Sequence, residues 1–553
     1  MQPHRPRANL QTHDVVNQPP AFTDVNLFEN DAALIGALEA RGGGAHRKTL
    51  SAFGRQCGSE EARAWAMEAN RNPPRLDAFD RYGRRLDEVS FHPSYHLLMD
   101  MGFAAGVAAG AWRAHEAGHA LHAGLLFLMT QADAGVCCPM SMTYAAVPAI
   151  QRGLAHDPDA AEVWIDRATE LDYDARVLPA TDKRAVTVGM AMTEKQGGSD
   201  VRANTTRAEK VGDAWALTGH KWFCSAPMSD AFLTLAQTDE GLTCFLAPRW
   251  KPDGARNAIH LMRLKDKLGD RSNASAEIEF HGAYAVRLGA QGRGVRTIVD
   301  MVQLTRFDCA VGSAGAMRIA LAEALWRTEH RSAFGRKLID QPAMAGVLAD
   351  LVLDCEAATA LAFSLAAALD AAADDDMAAA YARLATPIAK YWICKRQTPF
   401  VGEVLECHGG DGYVETGPTP RYFRAAPLNA VWEGSGNVVA LDALRAVESE
   451  PRAFEAVAAA LAIAQGSNAH FDAHARRIPR WLEPGALNPA TVRRFAEDLG
   501  LALAAAALKD AAPDAVFDGF CAARLDPAAR GAGYGASGAT LDAPGLIARA
   551  APF

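Results

Sequence analysis

The sequence contains no CxxC pair. Its ten cysteines are scattered over 553 residues, and only Cys137 and Cys138 are adjacent. That argues against a cysteine-rich zinc site and a disulfide framework, and it suits a reducing compartment, with the cytoplasm as the expected location. Long apolar runs are also lacking. The longest candidate, Leu499 to Leu508, is Ala-rich and short of the roughly 18–20 residues that cross a membrane, so no membrane partner is expected. The N-terminal stretch has no apolar core for secretion. Its two arginines, with no acid before Asp14, leave only a short organellar presequence open. Positive charge is not in excess: the net charge of −9 excludes a chain-wide nucleic-acid surface, though not a local basic patch. No G-x-G-x-x-G follows a first strand, which argues against a Rossmann site.

What the chain does hold is helical patterning on either side of a strand-rich centre. Residues up to about 45 carry Pro and Asn, and Asn17-Gln18-Pro19-Pro20 reads as an extended arm lying on a neighbouring domain or subunit. Apolar residues then recur with a 3.6 period over 32–39, 60–72, 94–114, 120–135 and 141–154. Residues 1–181 are therefore read as an arm plus a helical domain. Between 182 and 290 the segments 184–188, 215–218, 221–225, 231–237, 242–247 and 276–280 are short and rich in β-branched or aromatic residues, which predicts an all-β domain. Residues 291–448 read as an up-and-down helical bundle. Residues 449–553 read as an additional helical domain, with a flexible Gly-rich stretch over 531–538. The fold class is mainly α with a central β-barrel or β-sandwich domain.

One metal motif is present. His115-Glu116-Ala117-Gly118-His119 matches H-E-x-x-H, with His122 one turn on. On a helix the two histidines would share a face and hold zinc, with Glu116 as general base. No third ligand stands at a recognisable spacing and no strand is placed to hold a peptide. The motif is read as the polar face of a surface helix. No metal is expected, and a zinc hydrolase is kept as a minor alternative.

The chemistry concentrates elsewhere. Met192-Thr193-Glu194 leads into Gln196-Gly197-Gly198-Ser199-Asp200, a turn rich in hydroxyls and backbone N–H groups. Trp215-Ala216-Leu217-Thr218-Gly219 then leads through Lys221 to Trp222-Phe223-Cys224-Ser225, read as a β-hairpin. Glycines admit a ligand close to the backbone, and hydroxyls, amides and a flat aromatic suit a planar heterocycle. This pair resembles the flavin-gripping middle domain of the acyl-CoA dehydrogenase superfamily. The Trp222-Phe223-Cys224-Ser225 spelling is similar to its AidB branch. Further on, Arg331-Ser332-Ala333-Phe334-Gly335 with Gln341 resembles the family's R-x-x-F-G…Q signature. Glu406 to Tyr413 resembles its Gly-rich loop, with Glu406 in place of the usual glutamine. Val431-Trp432-Glu433-Gly434-Ser435-Gly436-Asn437 resembles its base loop.

The resemblance implies FAD as cofactor, held by Met190, Ala191, Met192, Thr193, Gly198, Ser199, Phe223, Cys224, Ser225, Arg331, Phe334, Gln341, Gly410, Trp432 and Asn437. It implies that Phe223 takes the place of a ring-stacking tryptophan and that Ser225 reaches the flavin near its reactive nitrogen. Arg331 and Phe334 would reach a flavin bound by a neighbouring subunit, which implies an oligomer, a homotetramer; a guanidinium fork suits a pyrophosphate because it bonds two oxygens at once. Glu433 matches the catalytic carboxylate that removes the α-proton of an acyl-CoA thioester. Some relatives carry the base on an earlier helix, at a position matching Thr305, which cannot serve. The polar loop 264–273 would lie near the substrate pocket. An electron acceptor is required for turnover. The AidB-like spelling also implies a role in the response to DNA alkylation, with double-stranded DNA met by the extra domain through Arg445, Arg476, Arg477 and Arg480. The alternative reading is a DNA-binding protective protein whose flavin is mainly structural.

Overall fold

The computed structural model describes residues 8–553. Arg5 and Arg7, on which the presequence reading rests, lie outside them. The arm crosses to the far end of the long bundle helix and is fastened there. Asn17, at φ 57°, donates from Nδ2 to the Ser332 carbonyl at 2.8 Å and accepts the Ser332 N–H on Oδ1 at 2.7 Å. Its own carbonyl accepts from Arg331 Nη1 at 3.0 Å. Phe22 then buries against Trp326, ring centroids 5.4 Å apart.

The N-terminal block departs from the all-helical expectation in two places. Gly106, at φ 90°, ends the helix Pro93–Ala105, so the segment expected over 94–114 is broken there. A hairpin also interrupts the helices. Strands β1 (Arg75–Phe79) and β2 (Arg85–Ser90) pair antiparallel around Gly83 at φ 80°. Asp87 of β2 accepts the Leu261 N–H at 2.8 Å, which joins the hairpin to the central β domain.

That domain comprises β3 (Val188–Ala191), β4 (Arg207–Val211), β5 (Ala214–Ser225), β6 (Ala231–Thr238), β7 (Gly241–Pro248), β8 (Ile259–Leu264) and β9 (Ser275–Leu288). Pairings β6–β7–β9–β5–β4 return to β6 through the Arg207–Gln237 bridge and close a barrel. Strand β3 runs parallel to β6, and β8 flanks β9. Side chains of β6 alternate: Phe232 and Ala236 fill the barrel, while Leu233 and Leu235 pack outward on the helices. Both faces are buried, so the strand reads as a nearly continuous apolar run. The expected hairpin over 215–225 is instead one strand. Gly219 extends through it at φ 152°, where a Cβ would meet Thr206 at 2.6 Å; the hairpin partner is β4, across Gly212 at φ 61°.

The bundle is built on Gly294–His330, a single helix of 37 residues, with Pro342–Ala371, Asp376–Cys407 and Gly436–Ser449. At 1.5 Å per residue the first is roughly 55 Å long. Pro342–Ala371 corrects the expectation on apolar runs. Over an 18-residue window its mean hydropathy is 1.6, long and apolar enough to cross a membrane, yet 94% of that window is buried inside the protein. Alanines and Gly346 lower its contrast with ordinary helix sequence, which hides the length of the run. The C-terminal helices pack on this core helix through buried charge. Arg396 and Arg524 both bond Asp354, and Arg524 pairs with Asp350 at 2.6 Å. The Gly-rich stretch expected to be flexible is pinned to the same acids: Tyr534 donates to Asp354 at 2.8 Å and the Gly535 N–H to Asp350 at 2.9 Å.

Candidate functional site

On the barrel side the site begins where β3 leaves the sheet. Thr193 is half-buried and its carbonyl accepts the Trp222 N–H at 2.8 Å, tying the turn to the end of β5. Glu194 is fully buried and bonds Lys221 Nζ at 2.9 Å, with both side chains shut off from solvent. Burial alone would raise the Glu194 carboxyl. The Thr206 hydroxyl at 2.6 Å, the Thr205 amide at 2.7 Å and Lys221 outweigh it and hold the group well below the usual carboxylate range. A rigid ionised anchor thus sets the turn that follows. A Cβ on Gly198 would stand 2.3 Å from Thr193 Oγ1, so the turn closes over Thr193 only because residue 198 lacks a side chain. Ser199 is exposed and Ser225 half-buried, while Phe223 leaves 55% of its surface open. Exposed hydroxyls, a glycine turn and an open aromatic face fit a planar, phosphate-bearing cofactor. Cys224 differs from its expected role: its thiol is buried in the barrel interior, as is Ala191, so only their backbone faces a ligand.

Across from this wall, Glu433 sits at φ 55° and Gly434 at φ 101°, a turn that aims the carboxylate inward. Thr305 donates to Glu433 Oε2 at 2.8 Å, and Arg306 Nε to the Glu433 carbonyl at 2.9 Å. Lys390, 1% exposed, donates to the carbonyls of Asn429 and Gly434, each at 2.9 Å. Trp432 Nε1 bonds Asn429 Oδ1 at 2.8 Å. Burial lifts the Glu433 carboxyl above its ordinary value; the Thr305 hydroxyl, Lys390 and Arg306 pull it back, and Asp308 pushes it up.

The two walls meet. Met190, Met192 and Trp432 share one apolar cluster with Cys138 and Met142. Burial pushes the Cys138 thiol up to about 12, with Lys267 and Ser225 lowering it and Asp270 and Glu433 raising it. Cys138 thus lies between the Ser225 and Glu433 sides of the site. Behind Asn429 lies a polar cavity of about 40 Å³, lined by Thr130, Asp133, Asp270, Ser272 and Arg421, where the polar loop 264–273 closes on the bundle. A larger open cleft of about 470 Å³ lies against the helix Ala32–Ala40 and is lined by none of these residues.

The remaining residues stand apart from Glu433 in a single chain or are otherwise engaged. Phe334 is 99% exposed at φ 52°, and Arg331 bonds the arm. Gln341 donates to the Ala333 carbonyl at 2.9 Å, and a Cβ on Gly410 would meet open space. Asn437 is exposed and accepts from Arg493 Nη1 at 3.1 Å. Arg445, Arg476, Arg477 and Arg480 are all exposed. The H-E-x-x-H motif is not the surface helix that was expected. The helix starts only at Gly118, after Ala117 at φ 48°, so His115 and His119 share no helix face. His119 bonds Tyr144, and His122 is fully buried on Asp308 at 2.9 Å. Among the described residues no group of acids, histidines and cysteines could hold a metal.

Arg306 and Lys390 were not singled out by sequence reasoning. Lys390 had a signal: it is the one charge between Arg383 and Lys395 in an otherwise apolar helical run.

Comparison with known proteins identifies the family and the fold. Residues 17–175 match the adaptive response protein AidB N-terminal domain, 189–283 the acyl-CoA dehydrogenase middle domain and 292–447 the acyl-CoA dehydrogenase C-terminal domain. The AidB protein of Escherichia coli (strain K12) is 45% identical over 493 residues, 89% of this chain and 88% of that one. The crystal structure of Caenorhabditis elegans ACDH-11 in complex with C11-CoA superposes with a TM-score of 0.83 at 28% identity, covering 93% of this chain and 91% of that one. A glutaryl-CoA dehydrogenase from Mycobacterium smegmatis, solved with FADH2, shares the fold at a TM-score of 0.58 and 18% identity, over 73% of this chain and 95% of that one.

Proposed function

The chain belongs to the acyl-CoA dehydrogenase family, in its AidB branch, and from that premise we propose that it dehydrogenates an acyl-CoA thioester with Glu433 as the base. The observation that carries this reading is a carboxylate fixed by Thr305 beside Trp432, which packs with Met190 and Met192 of the barrel wall, with no cation bonded to it. FAD, held along Met190–Thr193, Ser199 and the Phe223–Ser225 strand end, would supply the hydride acceptor for the β-carbon.

The protein's own part is proton removal. Thr305 occupies Glu433 Oε2, so the α-proton is taken on Oε1. The hydroxyl bond and the two carbonyl bonds of Lys390 hold the carboxylate in one orientation, which lowers the entropy cost of reaching a reactive geometry. Met190, Met192 and Trp432 exclude water. A drier site disfavours the charged carboxylate and strengthens it as a base once substrate enters. The base acts when ionised, so the rate rises with pH through a value above the ordinary 4.5 of glutamate. Glu433→Gln should keep the yellow flavin but lose its bleaching by acyl-CoA under anaerobic conditions by at least about a thousandfold. Bleaching at the wild-type rate would remove Glu433 from the mechanism.

A second reading places the chain in the response to DNA alkylation, with the exposed Arg445, Arg476, Arg477 and Arg480 meeting duplex phosphates. It is supported by likeness to the AidB branch. Mobility shifts of duplex DNA at physiological salt test it: reversing Arg445 to Glu should weaken binding and flatten its salt dependence. Cytoplasmic location and a homotetramer complete the proposal.

A further inference from the structure

We propose that Lys390 is a positioning residue that keeps Glu433 ionised by standing as an unneutralised ammonium beneath the base loop. This rests on Glu433 being the base. The geometry is specific. The ammonium is 1% exposed and bonds only main-chain oxygens, those of Asn429 and Gly434, which bracket Glu433 in the chain. No carboxylate lies within 4.0 Å of it among the described residues. A neutral donor would clamp two carbonyls equally well. A buried cation costs several kcal/mol unless an opposite charge repays it, and among the acids around the loop Glu433 is the one left without a cation bonded to its carboxylate.

The other groups facing Glu433 leave that task to Lys390. From the helix Gly294–His330, Thr305 offers a neutral hydroxyl. Arg306 spends its charge on Asp442 at 2.6 Å, where Arg383 also binds. Asp308, on the same helix, repels a carboxylate but is itself bonded to His122. Cys309 and, from the helix Ala134–Gly153, Cys138 are thiols that burial keeps protonated. From the helix Asp376–Cys407, Arg383 is likewise spent on Asp442 and Lys395 lies over Gly436 at the half-exposed rim of the loop, which leaves Lys390 as the buried cation bonded within it.

The test compares Lys390→Met, which keeps length without charge, with Lys390→Arg, which keeps charge, in the flavin-loaded protein. Two readouts are taken: the pH dependence of anaerobic bleaching by an acyl-CoA, and infrared titration of the carboxyl band that disappears in Glu433→Gln. Lys390→Met should move both midpoints to higher pH by about one pH unit, the effect of losing one nearby opposite charge. Lys390→Arg should stay near wild type. A Lys390→Met protein that bleaches more slowly at every pH with an unmoved midpoint would make the lysine a mechanical clamp and overturn the proposal. If Lys390→Met does not fold, a Lys390→Gln protein with an unmoved carboxyl band overturns it equally. Retained bleaching in Glu433→Gln, by contrast, would defeat the base assignment and not the charge argument, because the infrared readout needs no turnover.

Discussion

His119 shows how one side chain ties fold stability to pH. Its ring is held by Tyr144 at 2.6 Å, and burial with the neighbouring His122 depresses its pKa from 6.5 to about 4. The unfolded chain takes up this proton below pH 6.5 while the folded chain does not, so stability is full above that value and drains as pH falls toward 4. Between pH 7 and 5 the loss should be on the order of 2 kcal/mol. His119→Phe should show a smaller drop in Tm over that interval than wild type, and an equal drop would assign the acid sensitivity elsewhere. Glu433 behaves oppositely, since its raised pKa makes the ionised form a burden that grows as pH rises past the ordinary value. At this scale the sequence was legible where the chemistry is contiguous. Trp432-Glu433-Gly434 and Thr193 to Ser199 announce themselves in a few adjacent residues. The partners that tune Glu433 do not, because Thr305 lies 128 positions away and Lys390 reaches Gly434 from 44 positions away.

Between elements, β5 is tied to the turn after β3 by a buried ion pair beside the Trp222–Thr193 backbone bond. Lys221→Met would leave Glu194 ionised without its cation in a sealed site, at a cost of about 3–5 kcal/mol. Replacing both, Glu194→Leu with Lys221→Met, should recover most of that loss in a denaturant titration. If the double variant is as unstable as the single, the hydroxyl bonds of Thr205 and Thr206 are the dominant anchor. Element types were readable from period and composition, and boundaries failed for local reasons. The break at Gly106 and the extended Gly219 are choices of backbone angle that a glycine permits without requiring. The β1–β2 hairpin offers only the Tyr82-Gly83 turn as a signal, because Leu86 and Val89 stand three apart, a spacing that reads as helix.

For the whole molecule, the extra C-terminal domain cannot be treated as an appendage. Asp350 and Asp354 are buried in the core helix Pro342–Ala371, and they find Arg524, Tyr534 and the Gly535 amide only in the last hundred residues. Ending the chain after Ser449 would strip the cover from that helix and leave Asp350 without its cation. Such a truncated protein should aggregate or lose its cooperative thermal transition, as judged by light scattering and calorimetry. A soluble, flavin-binding fragment with a sharp transition would show the bundle to be self-sufficient.

Synthesis order adds a consequence of the fastened arm. Asn17 and Arg331 are 314 positions apart. At the usual 5–20 residues per second, Asn17 leaves the ribosome roughly 16–60 s before the arginine it holds. During that interval Phe22, buried against Trp326 in the folded chain, has no docking surface of its own chain. The segment made first is among the last to be seated, so a bulky N-terminal fusion should slow the final locking of the Arg331 loop while leaving the barrel, already complete, unaffected.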